Sequence, residues 1–225
     1  MFNFHTHTVD IEPCILNCRP DEFALRLADV PAHVGLSVGL HPWDVTADWS
    51  QEVEEMRRAV TTERVWVIGE CGLDKVKGAP LPLQVEAFKA QIALADEVEK
   101  PMVIHCVKAF DELLKLRREY VEECRQGKRA PQPWVLHGFR GKPEQAKQMM
   151  AKGLLLSFCH HYNLETLRFA YSMSGGAISL PFFLETVDCH ASVRPLYEQV
   201  GRHLGVDVDR LSSLCDPRQT IFRLR

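Results

Sequence analysis

The chain has 225 residues, with 27 Lys+Arg against 30 Asp+Glu and a net charge of −3. With 46% hydrophobic and 25% charged residues, it has the balance of a soluble globular protein with a sizeable core. That balance excludes a broad basic face of the kind that coats duplex DNA. No apolar run approaches the roughly 18 residues of a membrane span. The opening Met-Phe-Asn-Phe-His lacks a basic segment followed by an apolar stretch, so no secretory signal, no membrane partner and a cytoplasmic location are expected.

Short runs rich in Val, Ile and Leu predict strands at Phe2–His7 and Ile11–Cys18, followed by a short helix over Asp21–Asp29. A strand at Val34–Leu40 leads to a helix at Ser50–Thr61, and a strand at Val65–Glu70 leads to a helix at Leu83–Glu99. Strands at Met102–Cys106, Trp134–His137 and Leu154–Phe158 precede helices at Phe110–Gln126, Pro143–Lys152 and Asn163–Tyr171. The proline of Pro143 suits a first helical turn. A last strand at Ser179–Glu185 is followed by helices at Val193–Leu204 and Asp207–Leu214. The strands lack strict polar alternation, as parallel strands covered on both faces do.

This alternation of strand and helix, with no composition break, internal repeat or linker, predicts one α/β domain over residues 1–225. Either a doubly wound sheet or an eight-stranded TIM barrel has that element order. Metal-capable residues fall at the ends of five predicted strands, which favours the barrel, where many strand ends share one site. The eight cysteines contain no Cys-x-x-Cys pair and read as buried thiols.

His5 and His7 lie two apart on a strand and therefore point the same way. Such a pair chelates zinc or a related divalent ion, or is simply exposed or buried histidine. Glu70, His105 and His137 each close an apolar run. Any one of them is explained by a helix cap or an ion pair; their shared position on separate strands predicts a metal site. A carboxylate shared between histidines can hold two divalent ions (Mg, Mn or Zn) about 3.5–4 Å apart, which activate water for phosphoester displacement. That chemistry also asks for a further carboxylate to orient the water.

The blocks His5-Thr6-His7, Gly39-Leu40-His41-Pro42, Gly69-Glu70-Cys71-Gly72-Leu73-Asp74, Ile104-His105-Cys106, His137-Gly138-Phe139-Arg140-Gly141 and Leu184-Glu185-Thr186 follow one another in this order. A Gln-bearing helix from Gln84 runs into the Ile-His block. In order and spacing, along nearly the whole chain, the sequence resembles the TatD family of metal-dependent hydrolases and deoxyribonucleases, which sit on a TIM barrel. The resemblance implies that His5 and His7 hold one metal, that Glu70 bridges two, and that His105 and His137 hold the second. It implies hydrolysis of phosphodiesters in DNA, often from an end and on single strands. Lys108, Arg140 and Lys142 then become candidate phosphate contacts, His41 and Asp74 candidate groups behind the ligands, and Trp43 either a wall of the site or a packing residue. Asp10 and Glu12 read as surface residues.

The family's Glu-Thr-Asp block reads Glu185-Thr186-Val187-Asp188 here, with valine where the catalytic Asp belongs. Asp188 points to the opposite face if the strand continues and reaches the site if a bulge turns it. The Arg that often follows the Ile-His block is Val107. Three functions follow: a DNA phosphodiesterase with Asp188 as the water-orienting carboxylate, a hydrolase of a small phosphoester or amide, and a weakly active or non-catalytic barrel.

Overall fold

A computed structural model describes residues 1–174, 181–186 and 192–222. Eight strands lie in chain order in one parallel sheet: β1 (Asn3–Thr6), β2 (Cys14–Cys18), β3 (Gly35–Val38), β4 (Val65–Asp74), β5 (Met102–Val107), β6 (Trp134–Leu136), β7 (Leu154–Phe158) and β8 (Phe182–Leu184). Helices α1 (Phe23–Asp29), α2 (Trp49–Ala59), α3 (Leu81–Glu97), α4 (Phe110–Gln126), α5 (Pro143–Ala151) and α6 (Leu164–Ser174) each separate one strand from the next, from β2 onward. Two more, α7 (Arg194–Leu204) and α8 (Val208–Leu214), follow β8. This is the TIM-barrel fold class expected from the sequence. No helix among the described residues is long and apolar enough to cross a membrane.

The chain divides into two compact units. One comprises Met1–Leu16, Pro31–Gly35 and Val135–Arg225. In its core Phe4 stacks on Phe183 with ring centroids 4.4 Å apart, and the Tyr197 hydroxyl on α7 donates to the Phe2 carbonyl at 2.9 Å. Thr6 bridges to Thr186 in parallel, so the first strand meets the chain just past the last. Asn3 fixes that meeting: its side-chain oxygen accepts from Thr186 N–H (3.0 Å) and its NH₂ donates to Thr186 Oγ1 (2.6 Å) and Asp10 Oδ2 (3.0 Å). Asp10 also accepts from the backbone of Val193 at 2.8 Å and is buried. It is thus a structural acceptor rather than the surface residue expected, while Glu12 is half-buried and pairs with Arg194 at 2.6 Å.

No helix lies between β1 and β2, in line with two strands read in succession there. Parallel strands usually need a longer crossover. Here β1 is only four residues, about 13 Å long at 3.3 Å per residue, so a short connection returns the chain to the start of β2. Ile11, expected to begin β2, is instead 82% exposed in that connection.

The second unit comprises Asn17–Val30 and Leu36–Trp134. Val67, Ile68, Val103 and Ile104 are fully buried, and α3 packs Ala87, Phe88 and Leu94 into the same core. Trp134 stacks on Tyr120 of α4 at 5.6 Å. The main difference from the sequence reading is the length of β4, which runs four residues past Glu70 to Asp74. Two glycines allow it. A Cβ on Gly72 (φ +143°) would stand 2.0 Å from the His105 carbonyl oxygen, and one on Gly69 (φ +136°) 2.5 Å from that of Val103. Strands β4 and β5 therefore approach where any side chain on these two residues would collide, and the register pairs Gly72 with His105. Gly72→Ala adds both backbone strain and a clash; we expect it to cost about 3 kcal/mol and to lower Tm by roughly 10 °C in a thermal melt.

The candidate metal centre

Glu70 lies within β4 and His105 within β5, not at strand ends as expected. His41 follows β3. Glu70 Oε1 is 3.1 Å from His41 Nε2 and 2.9 Å from His105 Nδ1, and it is 4% exposed. Ligand atoms of His41, Glu70 and His105 all lie within 4.8 Å of one another. The other nitrogen of His105, Nε2, faces Asp74 Oδ2 at 3.2 Å.

His105 is therefore held between two carboxylates. A neutral imidazole carries one N–H and one lone pair, so its own N–H serves only one of them. With the N–H toward Asp74, the Nδ1 lone pair and the Glu70 carboxylate converge on one point. That donor set suits a divalent cation, and a carboxylate behind a ligating histidine is the usual means of fixing its ring. His41 is arranged differently. Its Nδ1 accepts the Trp43 backbone N–H at 3.2 Å, which leaves Nε2 to donate to Glu70. His41 thus orients the Glu70 carboxylate.

The helix α3 supplies the backbone clamps. Gln84 and Gln91, seven residues apart and each 1% exposed, share one helix face. Gln91 accepts from Leu40 N–H at 2.8 Å and donates to the Leu40 carbonyl at 3.1 Å, beside His41. Gln84 does the same for Asp74, at 2.8 and 2.9 Å. Asn17 accepts the Glu70 N–H at 2.8 Å. The sequence reading assigned none of these three, although two glutamines at helical spacing on an apolar face were a usable signal.

Asp74 itself is 3% exposed. Burial pushes its carboxyl upward, but the Trp43 indole, the Val76 and Lys77 backbone N–H groups and His105 outweigh this and hold it below the ordinary 3.8. A carboxyl lowered on folding stabilises the protein above its unfolded value, and that stabilisation is lost as pH falls through the folded value. In divalent-free buffer, the Tm gap between the parent and Asp74→Asn should therefore be full above pH 3.8 and shrink as the pH is lowered further. A gap that is constant with pH would contradict this.

In the other unit, His5 is fully buried on β1 and His7, just past it, is exposed. Their rings are 5.1 Å apart, and His5 lies 4.8 Å from His137, which follows β6. His137 Nδ1 is 3.6 Å from Glu185 Oε1. Glu185 is fully buried and accepts from Ser157 Oγ (2.5 Å) and Gly138 N–H (2.5 Å). Burial alone would raise its carboxyl; His137, His5 and Ser157 instead hold it below the usual range. A fixed carboxylate thus stands behind His137, as Asp74 stands behind His105.

Lys108, Arg140 and Lys142 are exposed. Lys108 follows β5 with φ 51°, Arg140 Nη2 approaches Cys159 Sγ at 3.9 Å, and the backbone N–H of Lys142 donates to the Gln145 side chain at 3.0 Å. Val187 and Asp188 lie outside the described residues. The cysteines that are described are free thiols. Burial pushes the Cys106 thiol, next to His105, up to about 12.

Residues 15–170 match the model of the TatD related DNase family. Curated relatives named 3'-5' ssDNA/RNA exonuclease TatD include one from Klebsiella pneumoniae, 32% identical over 142 residues, covering 62% of this chain and 51% of the relative. Another, from Cronobacter sakazakii, is 34% identical over 122 residues, covering 53% and 43%. The chain spans about half the length of the curated relatives it matches. Among solved structures, a TatD homologue from Escherichia coli K12 superposes with a TM-score of 0.69 at 17% identity, covering 95% of this chain and 93% of that one. A TatD family hydrolase from Entamoeba histolytica gives 0.63 at 13% identity, covering 89% and 80%. With the fold shared and the motif blocks at the buried carboxylate–histidine clusters, the chain belongs to the TatD related DNase family.

Proposed function

We propose that residues 1–225 act as one divalent-ion-dependent phosphodiesterase unit that cleaves single-stranded DNA in the cytoplasm. The observation that carries this reading is His105 between the carboxylates of Glu70 and Asp74, a donor arrangement suited to a cation, in a family of DNases. His5, His7, Glu70, His105 and His137 are the proposed ligands of two ions, with Glu70 shared. Ions held by these residues would supply activation of water and neutralisation of charge on the leaving oxygen.

The chain's own residues do the rest. Asp74 and Glu185 hold the rings of His105 and His137 from behind, so neither has to reorient during turnover. His41, set by the Trp43 backbone, fixes the Glu70 carboxylate. Lys108, Arg140 and Lys142 contact substrate phosphates, and Asp188 takes the proton of the attacking water.

The test is end-labelled single-stranded DNA incubated with the purified protein and Mg²⁺ or Mn²⁺. Progressive shortening that requires the ion is expected. Intact DNA with a folded protein that hydrolyses a small phosphoester would replace this substrate with the smaller one.

A further inference from the structure

Trp43 is 44% exposed, yet it is held in place as firmly as a core residue. Its indole N–H donates to the buried Asp74 at 2.6 Å, and its ring meets His41 and His105 edge to face, with centroids at 4.8 and 5.7 Å. The loop between β4 and α3 lies against its turn. Gly78 (φ +95°) packs so closely on Pro42 that a Cβ there would stand 2.3 Å from the Pro42 carbonyl oxygen and 3.0 Å from the Trp43 Cα. That loop brings the Lys77 ammonium to 3.5 Å from the indole centroid.

Lys75 and Lys108 follow the neighbouring ends of β4 and β5, where Lys75 N–H donates to the Val107 carbonyl at 3.0 Å. Lys75, Lys77 and Lys108 are all exposed. A rigid, half-exposed indole costs hydration of apolar surface that simple packing would have removed. A flexible ammonium resting on its face is the group an incoming phosphate displaces. Nucleotides alone among common metabolites and polymers offer a flat π-face and an anion one sugar apart, which match the indole and the three lysines together.

We propose that Trp43 is a base-stacking platform beside the metal centre, with Lys77 leaving the indole for the phosphate of the stacked nucleotide. This rests on the single-stranded nucleic acid reading above and adds the residue that grips the base. Because stacking uses the π-face of any base, the platform is sequence-tolerant.

The test measures binding apart from cleavage. A labelled single-stranded oligonucleotide is titrated in Ca²⁺, in place of Mg²⁺, against the parent, Trp43→Phe and Trp43→Ala, by fluorescence anisotropy. Kd should rise about tenfold in Trp43→Ala and stay within about threefold in Trp43→Phe, as expected for base–aromatic stacking. An oligonucleotide abasic throughout should bind the parent and Trp43→Ala equally. The phenylalanine variant keeps the π-face and loses the bond to Asp74, so a loss equal to that of alanine would overturn the platform. Equal Kd for all three proteins would overturn it as well, even with DNA cleavage intact. If instead the stacking pattern appears and no cleavage occurs with Mg²⁺ or Mn²⁺, the platform stands and the hydrolytic reading falls. No binding by the parent would remove both.

Discussion

Glu70→Ala is expected to abolish ion-dependent cleavage, with turnover falling on the order of 10³-fold or more. Lewis-acid stabilisation by a bound ion is worth several kcal/mol, and each 1.4 kcal/mol is a factor of ten in rate. Glu70 is the group that His41 and His105 both face, so its loss removes the proposed shared ligand and the carboxylate common to both imidazoles. A second readout separates loss of the site from loss of the fold. An ion that binds only the folded protein raises its stability by about 2.7 kcal/mol at a hundred times Kd, or roughly 5–10 °C at this chain length. Mn²⁺ should raise the Tm of the parent by that amount, and the Tm of Glu70→Ala and Glu70→Gln hardly at all. A Glu70→Gln protein that is still stabilised by Mn²⁺ and still cleaves would remove Glu70 from the metal centre.

The placing of Glu70 and His105 was legible in the sequence because both stand in apolar runs where a charged or polar residue needs a reason. Their exact setting was not. The strand expected to end at Glu70 runs on to Asp74, because Gly72 lets β4 continue against the His105 carbonyl. Asp74, expected behind the ligands, stands at the end of that longer strand, where its carboxylate holds His105 and Trp43 together. The clamps at Gln84, Gln91 and Asn17 were hidden for a related reason. Each serves a backbone group far away in sequence, 10 to 53 residues distant, and a local pattern carries no trace of such a partner. The eight strands, by contrast, depend on runs of three to ten residues and were found, with errors confined to their ends. The start of β2 is such an error: Ile11 made it look three residues longer than it is.

The order of the last two motif residues gives the remaining large effect. Asp188→Ala should lower kcat by roughly 10²-fold or more, the usual contribution of a positioned general base, with little change in KM. Thr186, two residues before it, is pinned through both its N–H and its hydroxyl to Asn3, and Val193, five residues after it, is pinned to Asp10. Along an extended chain, a side chain moved by one position changes face. Val187→Asp in the Asp188→Ala background therefore asks which of the two positions faces the water. If Asp188 does the work, the added carboxylate at 187 points elsewhere and the double variant stays inactive. If instead Asp188→Ala is silent while Val187→Asp alone exceeds the parent, position 187 faces the water. The parent site then lacks its base, as the weakly active reading requires. Because successive residues of an extended chain face opposite ways, one carboxylate cannot serve from both positions without a local bulge. The comparison thus reads out the backbone as well as the chemistry.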